Sequence, residues 1–97
     1  MNEKVIAVIP CYNEGKYIRD IVLRTAPFVS AVVVADDNSR DNTVDTALGA
    51  GAKVTFHNSN NRGVGINTWR GNWYALYLGA DIIVNLDGDG QHDPTSI

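Results

Sequence analysis

The sequence has 97 residues and a formal net charge of −3, with 44% hydrophobic and 20% charged residues. This length fits one small domain at most, which is enough for a single hydrophobic core. The negative charge disfavours a nucleic-acid partner, and the lone Cys11 excludes an internal disulfide framework and indicates a reducing compartment.

Four short segments are predicted to form strands, and three of them are rich in valine and isoleucine. They cover residues 4–9, 31–35, 53–56 and 81–86. Three of them have the apolar composition of strands that are buried on both faces, and segment 53–56 is weaker and resembles an edge strand. The start of the chain, Met1 to Lys4, lacks the pattern of a signal peptide, and no apolar run is long enough for a transmembrane helix.

Helical segments alternate with these strands. Asn13 is predicted to cap a first helix over residues 14–25. Ser39 or Asp41 is predicted to cap a second helix, which ends at a pair of nearby glycines. The inner face of the first helix would consist of Ile18, Ile21, Val22 and Thr25.

A third helix is predicted over residues 65–78, with Gly79 as its stop signal. Its shared apolar face would contain Ile66, Trp69, Trp73, Leu76 and Tyr77. Two interpretations of this face are open: it packs into the core, or it forms an interface with a further partner. Asp93 followed by Pro94 indicates the start of a fourth helix.

Alternating strands and helices predict a Rossmann-like parallel α/β sheet with right-handed crossovers and strand order 3-2-1-4. Ligands of such sheets bind outside the carboxyl ends of the strands, where the winding direction reverses. Three polar segments should meet there, namely residues 10–14, 36–38 and 87–91.

Asp87-Gly88-Asp89 follows the fourth strand and admits two interpretations. Asp-Gly pairs are common in tight turns, so the segment can be purely structural. Two carboxylates at a strand end also suit Mg²⁺ or Mn²⁺, which prefer hard oxygen ligands and would relieve the repulsion between the acids. The convergence of polar strand ends favours the metal site.

The loops lack the usual dinucleotide signature. Pro10 follows the first strand where a glycine-rich turn would be needed, which argues against a nicotinamide or flavin cofactor. Gly63 and Gly65 come before the third helix, and they either contact a phosphate or sugar or simply allow the helix to begin.

Four segments together form a family pattern. They are residues 8–14 (VIPCYNE), 34–39 (VADDNS) with 41–43 (DNT), 61–65 (NRGVG) and 86–94 (LDGDGQHDP). In this order and spacing they resemble the N-terminal half of inverting family-two GT-A glycosyltransferases, particularly the polyprenyl-phosphate sugar synthases such as dolichyl-phosphate mannose synthase.

The resemblance implies roles for individual residues. The wall of the nucleotide pocket would contain Pro10, Tyr12 and Glu14, and Asp37 would accept a hydrogen bond from the base. The nucleotide-sugar site would also include Gly63, Gly65 and Asp87. The metal would be bound by Asp87, Asp89 and Gln91, and it would neutralise the diphosphate leaving group.

Family members are usually much longer, with the catalytic base and acceptor site further along the chain. We therefore expect residues 1–97 to be the donor-binding part of a truncated domain, with no catalytic residue in this segment. The expected reaction transfers a hexose from a UDP- or GDP-sugar to a polyprenyl phosphate or glycan, with inversion, in the cytoplasm or at the cytoplasmic face of a membrane.

Two other functions remain open. The chain could be a non-catalytic module that binds a nucleotide sugar or metal. A nucleotidyltransferase is disfavoured, because that class usually has a glycine-rich basic loop after the first strand, where this chain has Tyr12-Asn13-Glu14. An unpaired sheet edge and an apolar helix face also predict a homodimer.

Overall fold

The computed structural model describes residues 3–56 and 64–86 of the chain. Its strands form one parallel sheet in the order β3-β2-β1-β4, which confirms the predicted topology. The strands are β1 (Val5–Cys11), β2 (Ala31–Asp36), β3 (Lys53–Phe56) and β4 (Ile82–Asn85).

The centre of the sheet consists of β1, which pairs on both sides. Its residue Ile6 lies opposite Ala31 of β2 and opposite Ile83 of β4. Because helices cover both faces, the interior residues of β1 and β2 are buried almost without exception. Their unbroken valine and isoleucine runs are therefore explained by burial on two faces.

The prediction that the fourth strand is buried on both faces is wrong. Ile82 and Asn85 are exposed, and the two residues between them are only half-buried. Within the described part of the chain, β4 pairs with β1 alone and forms an edge of the sheet. An edge strand has fewer neighbours to cover it, so an apolar composition alone did not reveal its exposure. The edge position predicted for β3 is confirmed.

Helices form a layer on each side of the sheet. One layer contains α1 (Ile18–Thr25) and α2 (Thr43–Gly49), whose buried residues pack with Ala7, Ile9 and Val34. The other layer is α3 (Val64–Tyr77), which packs on Ile6, Val8, Val33 and Ala35. No helix in the described ranges is both long and apolar enough to cross a membrane.

The first helix begins later than predicted, and Asn13 does not cap it. Asn13 has a positive φ of 53°, and α1 starts only at Ile18, after a turn in which the Tyr17 N–H donates to the Glu14 carbonyl (2.9 Å). The amide of Asn13 is engaged elsewhere, since its Oδ1 accepts from the Arg40 N–H at 2.8 Å. The predicted inner face of α1 is confirmed.

The interpretation that the apolar face of α3 packs into the core is wrong. All five of its apolar residues are exposed, and the buried side consists of small or polar residues four apart, namely Asn67, Gly71 and Ala75. Small residues let the helix backbone approach the sheet closely, and this close approach determines which side of α3 is buried.

Gly71 makes this approach testable. A Cβ atom at this position would lie 2.6 Å from Val8 Cγ1 and 2.9 Å from Ala35 Cβ, closer than packed atoms allow. We expect Gly71→Ala to destabilise the fold by about 1–3 kcal/mol through overpacking. Gly49→Ala is the matched control, since in the described part of the chain its added Cβ would have no atom within 4 Å beyond its chain neighbours and the adjacent backbone of α2. Urea denaturation of both variants measures the difference, and equal stabilities would contradict the close contact.

Candidate functional site

A cleft of about 460 Å³ lies at the carboxyl ends of β1, β2 and β4. The loops after these strands and the first turns of α3 contribute its walls. The described lining residues are Pro10, Cys11, Tyr12, Glu14, Asp37, Asn67, Thr68, Asn85 and Leu86. This position is where a doubly wound sheet binds ligands, because the winding reverses between β1 and β4.

The cleft brings together four of the residues that the sequence singled out. Two separate loops supply these residues, which together line the cleft: Pro10, Tyr12, Glu14 and Asp37. The predicted convergence is therefore confirmed for the ends of β1 and β2. Gly65 is the second residue of α3. Four further candidates lie outside the described residues: Gly63, Asp87, Asp89 and Gln91.

Two neighbouring aspartates at the end of β2 have different environments. The carboxylate of Asp36 accepts hydrogen bonds from the Ser39 N–H (2.8 Å) and the Ser39 hydroxyl (2.5 Å), so it holds the loop in shape. Asn38 has a positive φ of 65°, which asparagine tolerates better than most residues. Asp37 instead lines the cleft, and its N–H donates to the Cys11 carbonyl at 2.9 Å.

Further hydrogen bonds join the two loops that supply the cleft wall. The Asn13 N–H donates to Ser39 Oγ at 2.8 Å, and the Gly15 N–H donates to Asp41 Oδ2 at 3.1 Å. These bonds cross between the β1–α1 loop and the β2–α2 loop. They fix the relative positions of the backbone segments that carry Tyr12, Glu14 and Asp37.

Asp41 also stabilises the start of α2. Its Oδ1 accepts from the Thr43 N–H at 3.0 Å and from the Thr43 hydroxyl. The N-cap position of α2 is Asn42, so the prediction of Ser39 or Asp41 as the cap residue is wrong, and Asp41 acts from one residue further upstream. Burial acts to raise the pKa of Asp41, but the hydrogen bonds from Thr43 and Gly15 outweigh it and lower the pKa below the ordinary value of an aspartate. The carboxylate that joins these loops is therefore ionised at neutral pH.

Sequence reasoning missed Asn67. This residue is 1% exposed, and its Nδ2 donates to the Ala35 carbonyl of β2. Its Oδ1 has no hydrogen-bond partner among residues 3–56 and 64–86, although an unpaired buried acceptor is costly. The available signal was spacing, since Asn67, Gly71 and Ala75 are four apart and share the helix face that contacts the sheet.

Cys11 is buried at the end of β1, and its thiol donates to the Ile9 carbonyl at 3.6 Å. The described lining contains the carboxylates of Glu14 and Asp37 and no lysine or arginine. This charge distribution favours ligand groups that donate hydrogen bonds, such as base N–H and hydroxyl groups. It disfavours a bare phosphate at the same place.

The lining also bears on whether a divalent cation fits. Within residues 3–56 and 64–86, no three histidine, cysteine, aspartate or glutamate side chains cluster as a metal site would require. Leu86 lines the cleft, however, and Asp87 follows it directly in the sequence. The carboxylate and amide oxygens of Asp87, Asp89 and Gln91 are the donors that Mg²⁺ and Mn²⁺ prefer, so the donor set fits.

Comparison with known proteins agrees with this architecture. The family described as "Glycosyl transferase family 2" matches residues 6–97. The UDP-N-acetylglucosamine–dolichyl-phosphate N-acetylglucosaminyltransferase of Methanococcus voltae is 37% identical, with 100% of this chain and 46% of that protein aligned. The undecaprenyl-phosphate mannosyltransferase of Micrococcus luteus is 33% identical, with 97% and 41% aligned. The chain thus spans less than half the length of these relatives.

A solved structure shows the same fold. The glucosyl-3-phosphoglycerate synthase of Mycobacterium tuberculosis, in complex with Mn²⁺, UDP and glucosyl-3-phosphoglycerate, superimposes with a TM-score of 0.74. It is 25% identical, and the match covers 90% of this chain and 34% of that one. Another structure of this synthase contains Mg²⁺ and UDP.

Proposed function

Because the chain belongs to glycosyl transferase family 2, we propose that residues 1–97 form the donor-binding part of a GT-A glycosyltransferase. Its donor is a nucleoside-diphosphate sugar, either a UDP-sugar or a GDP-sugar. The observation that carries this proposal is the cleft at the reversal point of the sheet, which combines Tyr12, Glu14 and Asp37 on loops tied to each other by hydrogen bonds.

The cleft suits the nucleoside end of the donor. Asp37 accepts a hydrogen bond from a ring N–H of uracil or guanine, and Pro10 and Tyr12 provide apolar surface for the base and ribose. Glu14 is placed to accept from a ribose hydroxyl. The two carboxylates keep the diphosphate away from this wall, so the phosphates bind toward the segment that follows Leu86, with Gly63 and Gly65 as further contacts.

A divalent cation would complete the site through Asp87, Asp89 and Gln91. When bound, it supplies Lewis-acid stabilisation of the diphosphate leaving group. Structures of the mycobacterial synthase contain Mn²⁺ or Mg²⁺ together with UDP, which supports Mg²⁺ or Mn²⁺ as the cofactor here.

The names of the relatives support a polyprenyl phosphate as the acceptor, with a glycan as the alternative, and the family implies inversion at the transferred hexose. Such an acceptor is membrane-bound, so the full-length protein would act at the cytoplasmic face of a membrane. The acceptor site and catalytic base would belong to that longer protein. We therefore expect the 97-residue chain to bind the donor without transferring sugar by itself.

Calorimetric titration tests the donor site. In Mn²⁺ buffer, UDP or GDP should bind at least about 10-fold more tightly than inorganic pyrophosphate, because pyrophosphate lacks the nucleoside that fills the cleft. ADP is the control for recognition of the nucleobase, because it differs from UDP and GDP only in its base. Equal affinity for pyrophosphate, or no binding of UDP and GDP at millimolar concentration, would contradict the proposal. Sugar transfer to a polyprenyl phosphate by the 97-residue chain would instead contradict its assignment as a donor-binding part only.

A further inference from the structure

The outer side of α3 is unusually apolar for a protein surface. We call the five exposed residues Ile66, Trp69, Trp73, Leu76 and Tyr77 the aromatic face. Its three rings are 61% (Trp69), 56% (Trp73) and 83% (Tyr77) exposed, and the rings of Trp69 and Trp73 contact each other edge to face at 6.0 Å.

α3 carries little charge for a helix at the protein surface. Its sequence, VGINTWRGNWYALY, contains one charged residue, Arg70. A surface helix normally has a charged face opposite its buried stripe, whereas a helix that lacks one is typical of a buried element. The inner side of α3 already packs on β1 and β2 through Gly71 and Ala75. The aromatic face therefore has the character of a second contact surface.

We propose that the aromatic face binds the same face of a second copy of this chain, forming a two-fold dimer. The three rings present roughly 300–500 Å² of surface, given about 150–250 Å² for each whole aromatic side chain. With Ile66 and Leu76 the face reaches the upper end of the range for the largest apolar patch of a typical monomer, which is about 300–600 Å² and often functional. It also approaches the roughly 800 Å² that each partner buries in a standard interface.

A two-fold axis matches the order of residues along α3. In an antiparallel helix pair with Trp73 at the axis, Trp73 meets the partner's Trp73 and Trp69 meets the partner's Tyr77. Arg70 then lies beside the partner's Leu76, at the edge of the contact, where its guanidinium can cover a ring while its charge stays in water. Isologous contacts of this kind need one self-complementary patch, and the aromatic face provides it.

Charge favours a protein partner over a lipid surface. Helices that bind membranes at the interface usually carry several lysines or arginines that attract anionic lipids. The aromatic face has only Arg70 beside it, and the chain has a net charge of −3. A second copy meets no cluster of like charges on this face, because α3 contains no acidic residue.

Light scattering and fluorescence test the dimer on the full chain. We expect a Kd in the micromolar range, since the buried area lies at the low end for stable complexes. Trp69 and Trp73 are the only tryptophans in the sequence, so their emission reports on this face alone. Their emission should shift to the blue as concentration rises from about 1 to 100 μM, in parallel with the rise in mass.

Trp73→Glu should raise the dimer Kd at least about 30-fold, as expected for a central aromatic anchor. Trp69→Glu is a second variant in case the first unfolds, and circular dichroism checks both. Leu48→Glu is the matched control, because Leu48 is exposed to a similar degree (53%) on α2, in the helix layer on the opposite side of the sheet.

Two results would overturn the dimer. The first is a monomeric mass at 100 μM with no change in tryptophan emission. The second is a blue shift on adding phosphatidylcholine vesicles to monomeric protein that does not associate with itself, which would assign the aromatic face to a membrane surface. An unchanged Kd for folded Trp73→Glu would show that the dimer uses another face.

Discussion

Removing the divalent cation should weaken the binding of UDP or GDP to this chain by roughly 100-fold. The described wall of the cleft already contains Glu14 and Asp37, and in the sequence Asp87 and Asp89 come shortly after the lining residue Leu86. Carboxylates repel a nearby diphosphate. The repulsion energy of two like unit charges about 4 Å apart is roughly 4 kcal/mol at an effective dielectric of 20. A divalent cation held by Asp87, Asp89 and Gln91 would replace this repulsion with attraction.

Calorimetry with Mn²⁺, with Mg²⁺ and with chelator measures the effect. Asp89→Asn should lose a comparable factor in the presence of Mn²⁺, because it removes one charged ligand. Asp45→Asn is the charge-matched control, since Asp45 is exposed in the first turn of α2 and should leave the affinity unchanged. If chelator and Asp89→Asn both leave the affinity intact, the segment after β4 is a turn and binds no metal.

The sheet was predictable because its determinants are local. Valine-rich runs separated by helical spacing indicate parallel strands, and right-handed crossovers leave few possible orders. The exposure of Ile82 was not predictable from β4 itself, since burial depends on what lies beside the strand. The residues of β4 would be buried if the strand had a neighbouring element on each side.

The orientation of α3 depended on a contact distant in sequence. The large apolar residues of this helix lie on its outer side, so the periodicity of apolar residues indicated the wrong inner face. Gly71 decides the orientation, because only a glycine fits against Val8 and Ala35. Asn13 was misjudged for a similar reason. Its residue type suits a helix cap, but the backbone N–H of Arg40 competes successfully for its side chain.

The part of the candidate site that comes directly after the strands was predictable from the sequence. Pro10, Tyr12, Glu14 and Asp37 come directly after β1 and β2 and meet in the cleft as expected. Asn67 was missed, because a helix residue reaches the site only through the packing of α3 on the sheet. The sequence also could not separate the roles of Asp36 and Asp37. Only the bonds from Ser39 show that Asp36 holds the loop.

Because Asp37 lines the cleft and Asp36 holds the loop, replacing Asp37 should strongly reduce nucleotide affinity. We expect Asp37→Ala to weaken binding of the preferred nucleotide, UDP or GDP, by about 10- to 150-fold. The reason is the loss of a charged acceptor for the base N–H, which is worth about 1.5–3 kcal/mol. Asp37→Asn should lose less, because its amide keeps one acceptor oxygen. The loss should be absent for pyrophosphate, which carries no base.

Thermal unfolding separates this role from a folding defect. Asp36→Asn is the structural comparison, since it weakens the bonds to Ser39 that shape the loop and should lower the melting temperature. Asp37→Ala should retain a cooperative transition while its nucleotide affinity falls. If the folded Asp37→Ala chain binds UDP and GDP as tightly as the parent does, the base lies elsewhere and the cleft holds another part of the ligand.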